Sequence, residues 1–153
     1  MLSIVNGELM HMIGTNEFDC VIHGCNCMSH MGGGVAALLA CTFPLIAEVD
    51  HIVHYAGGPE GKLGKVSLVL VERVNTYPLM IINAYTQLSP GPDFQMKAFV
   101  SAMTYIARLV STNIKILIPK IGSGIGGGNW TDIELGLTQI FKNHNVVVVN
   151  HDK

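Results

Sequence analysis

The chain has 153 residues, 49% hydrophobic and only 13% charged, with a formal net charge of −2. That length predicts one domain burying about 70% of the surface its unfolded chain exposes, and the composition excludes a disordered chain. Nine scattered Lys and Arg argue against a protein held to duplex nucleic acid, which needs a basic patch or stripe; a single-stranded or nucleotide partner stays open. Residues 1–12 lack the basic start and apolar run of a signal peptide, and no apolar stretch reaches the ~18 residues of a membrane span. Four cysteines in such a chain predict reduced thiols, so a cytoplasmic protein is expected.

In chain order, "LSIV" (2–5) and "CVIHGC" (20–25) read as strands, the first ended by Asn6-Gly7. Residues 33–43 have helical spacing through Val35, Leu38, Leu39 and Thr42. Pro44 suits the first turn of a helix over 44–55 that Gly57-Gly58-Pro59 ends. "KVSLVLVERV" (65–74) and "LMIINAY" (79–85) are β-branched or apolar runs, and "SPGPD" (89–93) is a loop. The clearest helix covers 95–110, with Met96, Phe99, Val100, Met103, Ile106, Ala107 and Val110 on one face. "IKILIP" (114–119) and "VVVV" (146–149) read as buried strands. Between them, Thr131 and Glu134 form a capping box opening a helix that faces inward through Ile133, Leu137, Ile140 and Phe141. Such alternation predicts an α/β fold: a largely parallel sheet with helices on both faces and ligands at the carboxyl ends of strands.

Two glycine-rich stretches join a strand to a helix: Gly32-Gly33-Gly34 before Val35, and "IGSGIGGGNW" (121–130) before Thr131. Glycine lets successive N–H groups converge, and a helix start adds unsatisfied N–H groups and partial positive charge. Each stretch alone reads equally as a plain turn; two on one sheet fit a pyrophosphate held from both sides. Gly122, Gly124 and Gly127 also match the dinucleotide fingerprint, with an acid at Asp152, but only one strand follows and no second nucleotide-binding half fits.

His23, Cys25, Cys27 and His30 are metal-ligating residue types, yet no second, distant pair completes a structural zinc pattern, and no metal is expected. Cys-x-Cys is not the redox spacing, so these thiols read as small core residues, and nothing around Cys20 or Cys41 suggests activation. His51 and His54 read as a solvated helix face. Asn26, closing an apolar strand just before the first glycine run, reads either as a turn residue or as a donor to a ligand hydroxyl.

"VIHGCNC", "MGGGVA" and "PKIGSGIGGGNW", with the opening "VNGEL" and an intervening Leu63-Gly64-Lys65, resemble the macrodomain family over nearly the whole chain. The resemblance runs toward its yeast- and phage-type ADP-ribose 1''-phosphate phosphatases. It implies a three-layer α/β/α sandwich around a mixed, largely parallel six-stranded sheet, with ADP-ribose in a cleft at its crest. It implies adenine near Glu8 and Leu9, with Glu where the family commonly has Asp. It implies the distal ribose at Asn26, and phosphates held by Gly32, Gly33, Gly34 and Val35 and by Ser123, Gly124, Ile125 and Gly126. His23 matches a histidine implicated in phosphatase activity. Gly126 stands where many members carry Phe. The 79–85 strand lacks the lysine, and 124–130 the acid, of a branch that removes ADP-ribose from glutamate.

The resemblance therefore implies an enzyme that binds ADP-ribose and releases the terminal phosphate of ADP-ribose 1''-phosphate without a cofactor. A non-catalytic ADP-ribose-binding module and a hydrolase of ADP-ribosylated macromolecules are the alternatives. His23 is expected either to accept a proton or to be a buried structural residue. In a straight strand His23 and Asn26 face opposite sides, so both reach one ligand only if the strand breaks between them, as Gly24 would allow.

Overall fold

The computed structural model describes residues 1–124 and 126–151; Ile125 and Asp152, both singled out above, lie outside the described residues. The elements are β1 (Leu2–Asn6), α1 (Leu9–Gly14), β2 (Cys20–Asn26), α2 (Gly34–Thr42), α3 (Leu45–Gly57), β3 (Val66–Val71), β4 (Leu79–Gln87), α4 (Met96–Leu109), β5 (Lys115–Pro119), α5 (Trp130–Ile140) and β6 (Asn145–Asn150). The strands form one six-stranded sheet in the order β1-β6-β5-β2-β4-β3. Every neighbouring pair is parallel except β3 against β4. The mixed, largely parallel sheet is therefore as the sequence implies.

The apolar runs are nearly continuous because both faces of the sheet are covered. Cys20, Ile22, Ile116, Ile118, Val146 and Val148 pack on one face under Phe99, Met103 and Ile106 of α4 and Ile133 and Leu137 of α5. The alternate residues Val21, Leu117, Val147 and Val149 pack on the other face with Leu9 and Ile13 of α1, Leu39 of α2 and Ile46 of α3. No single helix among the described residues is long and apolar enough to cross a membrane; α2 and α3, apolar together, meet at a 111° bend.

Three local readings change. The capping box does not open α5: Asn129 is the N-cap, its side chain accepting from the Asp132 N–H, and the helix starts at Trp130. Glu134 instead accepts from the Trp130 indole Nε1–H at 3.0 Å. The strand expected over 65–74 ends at Val71, before the Arg73 guanidinium bonds Tyr77 O, Phe18 O and Asp19. His51 is exposed, but the half-buried His54 encloses its Nδ1 with no partner among the described residues.

Candidate functional site

The cleft arises where two central strands part. β2 pairs with β5 only at Cys20↔Ile116 and Val21↔Leu117. Beyond that, β2 follows β4 as far as Asn26↔Gln87, and β5 follows β6 as far as Pro119↔Val149. The gap between the diverging carboxyl ends is a cleft of about 550 Å³. Its walls come from the loops after β2, β4 and β5 and from His151 after β6. A ligand cleft at the carboxyl ends of strands is what an open α/β sheet allows.

Gly33, Gly34 and Val35 line one wall and Gly124 and Gly126 the other. Gly33 is the N-cap of α2 and offers no side-chain cap; the first N–H bonded back to it is that of Ala37, at 3.3 Å. The N–H groups of Gly34, Val35 and Ala36 therefore have no acceptor in the helix, and all three residues line the cleft. An anion there meets both free donors and the positive end of the helix.

In the facing loop, glycine has two different causes. Gly122 has φ +77° and would place a Cβ 2.5 Å from the Phe94 ring, so the fold itself requires glycine. A Cβ on Gly124 would meet nothing within 4 Å among the described residues, and its φ lies outside the left-handed region. Gly32 and Ser123 sit in these loops without lining the cleft. Leu9 is core, and Glu8 caps α1, its carboxylate accepting from the N–H groups of Met10 (3.1 Å) and His11 (2.8 Å).

Asn26 and His23 both reach the cleft. The pairing register shifts between Cys25 and Asn26, one step after the glycine, and the extra residue is Thr86 on β4. Gly24 serves a different purpose: a Cβ there would lie 2.8 Å from Ile121, which packs beneath the cleft. The Asn26 Oδ1 accepts from Met28 N at 3.0 Å and His30 N at 3.3 Å, and its Nδ2 donates to His30 O at 2.9 Å. Asn26 thus shapes the loop and keeps one amide proton for a ligand.

His23 is only 1% exposed and forms part of the cleft floor. Its Nε2 lies 2.6 Å from the Asn83 Oδ1. Because Asn83 Nδ2 donates to Ile46 O and Ser67 Oγ, its oxygen must accept, so His23 carries its proton on Nε2. The Cys25 sulfur lies 3.7 Å from both ring nitrogens and so singles out neither. Burial pushes the His23 pKa down to about 4, and the Asn83 bond only partly opposes this, so the ring is neutral at pH 7. The network continues from Ser67 to Tyr85 OH (2.7 Å) and on to Asp50 (2.7 Å).

Burial also raises the Cys25 thiol and pushes Cys27 up to about 11, so neither is an activated nucleophile. Among the described residues, no three His, Cys, Asp or Glu side chains gather at metal-ligand spacing.

Three cleft residues escape sequence reasoning. Gln87 donates from Nε2 to Ser89 O (2.8 Å) and Gly91 O (2.9 Å), shaping the loop that brings Pro90 and Gly91 to the cleft. Lys120 lines the cleft with its Nζ 5.2 Å from the Trp130 ring centroid. Its signal is its place, one residue past the carboxyl end of β5. His151 follows β6 in the same way.

The layers and the cleft position are those of the macrodomain fold, and solved structures superpose on it. The macrodomain of Mycobacterium tuberculosis DarG superposes with a TM-score of 0.83 at 22% identity, covering 100% of this chain and 99% of that one. Thermosipho africanus DarTG, solved in complex with ADP-ribose, gives a TM-score of 0.79 at 18% identity over 97% of this chain and 41% of that one. No family model matches the sequence. A 17.5 kDa protein from the tk-vs intergenic region of Enterobacteria phage T4, described as uncharacterized, is 36% identical over 98% of this chain and 96% of its own length. The ADP-ribose 1''-phosphate phosphatase of Candida albicans is 26% identical over 97% of this chain and 100% of its own length. The chain has the macrodomain fold, and it belongs with the phage T4 protein to one group of relatives similar along nearly their whole length.

Proposed function

We propose that the cleft binds ADP-ribose and that the protein hydrolyses ADP-ribose 1''-phosphate to ADP-ribose and inorganic phosphate. The observation that carries this reading is the uncapped N-terminus of α2 facing the second glycine loop across the gap between β2 and β5. Backbone donors from two sides suit a pyrophosphate and need little side-chain charge, in keeping with a net charge of −2. The full-length similarity to the Candida albicans phosphatase supports the reaction, and the ADP-ribose complex of a protein with this fold supports the ligand.

In this reading Gly33, Gly34 and Val35 hold one side of the pyrophosphate, and Gly124 and Gly126 the other. Adenine extends toward Glu8 and Leu9, where the Glu8 carboxylate keeps lone pairs beyond those that cap α1. Asn26 directs its remaining amide proton to the distal ribose or the attacking water. His23, buried and bonded through Nε2 to Asn83, orders the floor beneath that water. No metal or cofactor is invoked. Four unpaired cysteines suit a reducing cytoplasm.

The test is phosphate release from ADP-ribose 1''-phosphate by purified protein, with Asn26→Ala as the paired variant. Loss of positioning at Asn26 is expected to cost about 100-fold in turnover. The binding-only reading is favoured by one observation, that the His23 ring is buried with its Nε2 proton committed to Asn83 and its pKa pushed down to about 4, which makes it a weak base. Tight ADP-ribose binding with no phosphate release would select it. Release of free ADP-ribose from a modified macromolecule would select the hydrolase alternative.

A further inference from the structure

Lys62 and Asp50 form an ion pair at 2.7 Å with side chains 0% and 1% exposed. A lysine enclosed this completely is unusual, because burial disfavours its charge unless paired. Both groups have further contacts. Asp50 also accepts from Tyr85 OH at 2.7 Å, and the Lys62 ammonium stands 4.7 Å from the Tyr85 ring centroid. The remaining partner of Lys62 is not in the core: its Nζ donates to Ser29 Oγ at 3.1 Å.

Ser29 lies in the loop that carries the cleft residues Asn26, His30 and Met31. It has φ +60°, a left-handed conformation that a residue with a Cβ adopts only where something holds it. The loop is tied at three points. Asn26 bonds Met28 and His30, Cys27 N donates to Leu88 O at 3.0 Å, and Ser29 is bonded to the buried ammonium. Only the third tie reaches down into the sheet-to-α3 layer. A charged donor held rigidly by Asp50 and Tyr85 is a fixed point against which a loop can be set.

We propose that the Lys62–Asp50 pair is a positioning device for the cleft: through Ser29 it holds the β2–α2 loop in its ligand-ready conformation before any ligand arrives. Lys62 and Ser29 are positioning residues, acting through Asn26 and the start of α2. This deepens the reading of the cleft as an ADP-ribose site and rests on that reading for its ligand. The effect is preorganisation: a loop already ordered loses less entropy on binding.

Ser29 is the place to test it, because Lys62→Met would strip Asp50 of its partner in the core. The full chain is compared with Ser29→Ala and Ser29→Asn by three measurements: thermal melting, amide hydrogen exchange at Met28 and His30, and calorimetric titration with ADP-ribose. Ser29→Ala removes the acceptor and is expected to speed exchange at both amides and weaken ADP-ribose about tenfold, with the chain still folded and its melting temperature lowered by about 2–8 °C. Ser29→Asn, which tolerates left-handed φ and offers an acceptor oxygen, is expected to restore most of both. Wild-type exchange and affinity in Ser29→Ala would overturn the proposal. So would equal losses in Ser29→Ala and Ser29→Asn. If the wild type binds no ADP-ribose, the functional reading fails and exchange alone decides the brace: faster exchange in Ser29→Ala supports it, unchanged exchange overturns it.

Discussion

At the level of single residues, His23 shows how burial decides what a side chain can do. A histidine before a cysteine-rich turn looks like a ligand or a base, and both uses need a nitrogen facing solvent or substrate. Here the ring donates to Asn83, sits beside Cys25, and has its pKa pushed down to about 4. The unfolded chain takes up that proton near pH 6.5, whereas the folded chain does so only near pH 4. Between those values the unfolded state binds more protons, so stability falls with falling pH. The contribution is fully present above pH 6.5 and lost as pH drops through 4; 2.5 pH units correspond to about 3 kcal/mol. Urea denaturation at pH 7 and pH 4.5 should show a larger loss in the wild type than in His23→Gln. An inflection near pH 6.5 in kcat/KM that disappears in His23→Gln would show instead a solvent-accessible, titrating imidazole. Asn26 was readable as a polar residue ending a strand. Its three loop hydrogen bonds were not, because they depend on the chain turning back at Ser29, a left-handed position held by a lysine 33 residues away.

At the level of elements, the second glycine loop separates two demands that look identical as letters. Gly122 is needed by the fold: φ is +77° and any Cβ collides with Phe94. Gly122→Ala is expected to cost about 1–3 kcal/mol of stability, measured by denaturant melting. Gly124 has neither constraint and faces the cleft. Gly124→Val should fold normally by circular dichroism and lose at least about tenfold in ADP-ribose affinity, because the branched side chain occupies the anion's approach to the loop. A folded Gly124→Val variant with unchanged affinity would reduce this stretch to a turn. The long elements were legible for a physical reason. α4 repeats apolar residues at helical spacing over 14 residues, and β5 and β6 are apolar on both faces because both faces are covered. α1 gives no such signal: six residues make under two turns, and its start is fixed by the Glu8 side chain. The start of α5 was misread by one motif. Thr131 and Glu134 have the spacing of a capping box, but Asn129 reaches the Asp132 N–H first and Trp130 takes the glutamate.

At the level of the whole molecule, the site exists because the sheet divides. Pairing of β2 with β5 stops after Val21 and Leu117, and the two halves carry their loops apart: β2 and β4 on one side, β5 and β6 on the other. The alternation and the two glycine loops point to a ligand at the carboxyl ends of strands, but strand runs in a sequence do not show which strands adjoin or where their pairing ends, so the place where the sheet divides was not legible. Lys62 was hidden for a related reason. It stands in "GPEGKLGK", a stretch whose glycines and charges read as exposed loop, and its burial depends on Asp50 and Tyr85 arriving from two other elements. The divided sheet also predicts selectivity. The α2 N-terminus belongs to one half and the glycine loop to the other, so a ligand gains from both only if its phosphates bridge the gap. AMP ends at its single phosphate and has no distal ribose to offer Asn26, so it should bind about 100-fold more weakly than ADP-ribose in a calorimetric titration. The same difference should appear in melting. ADP-ribose at 100 times its Kd stabilises by about 2.7 kcal/mol, a rise of about 5–10 °C for a chain of this size. AMP at that concentration should give about 1 °C. Equal affinities and equal melting shifts would mean that adenine and one phosphate supply all the binding, and that the two walls do not act together on a pyrophosphate.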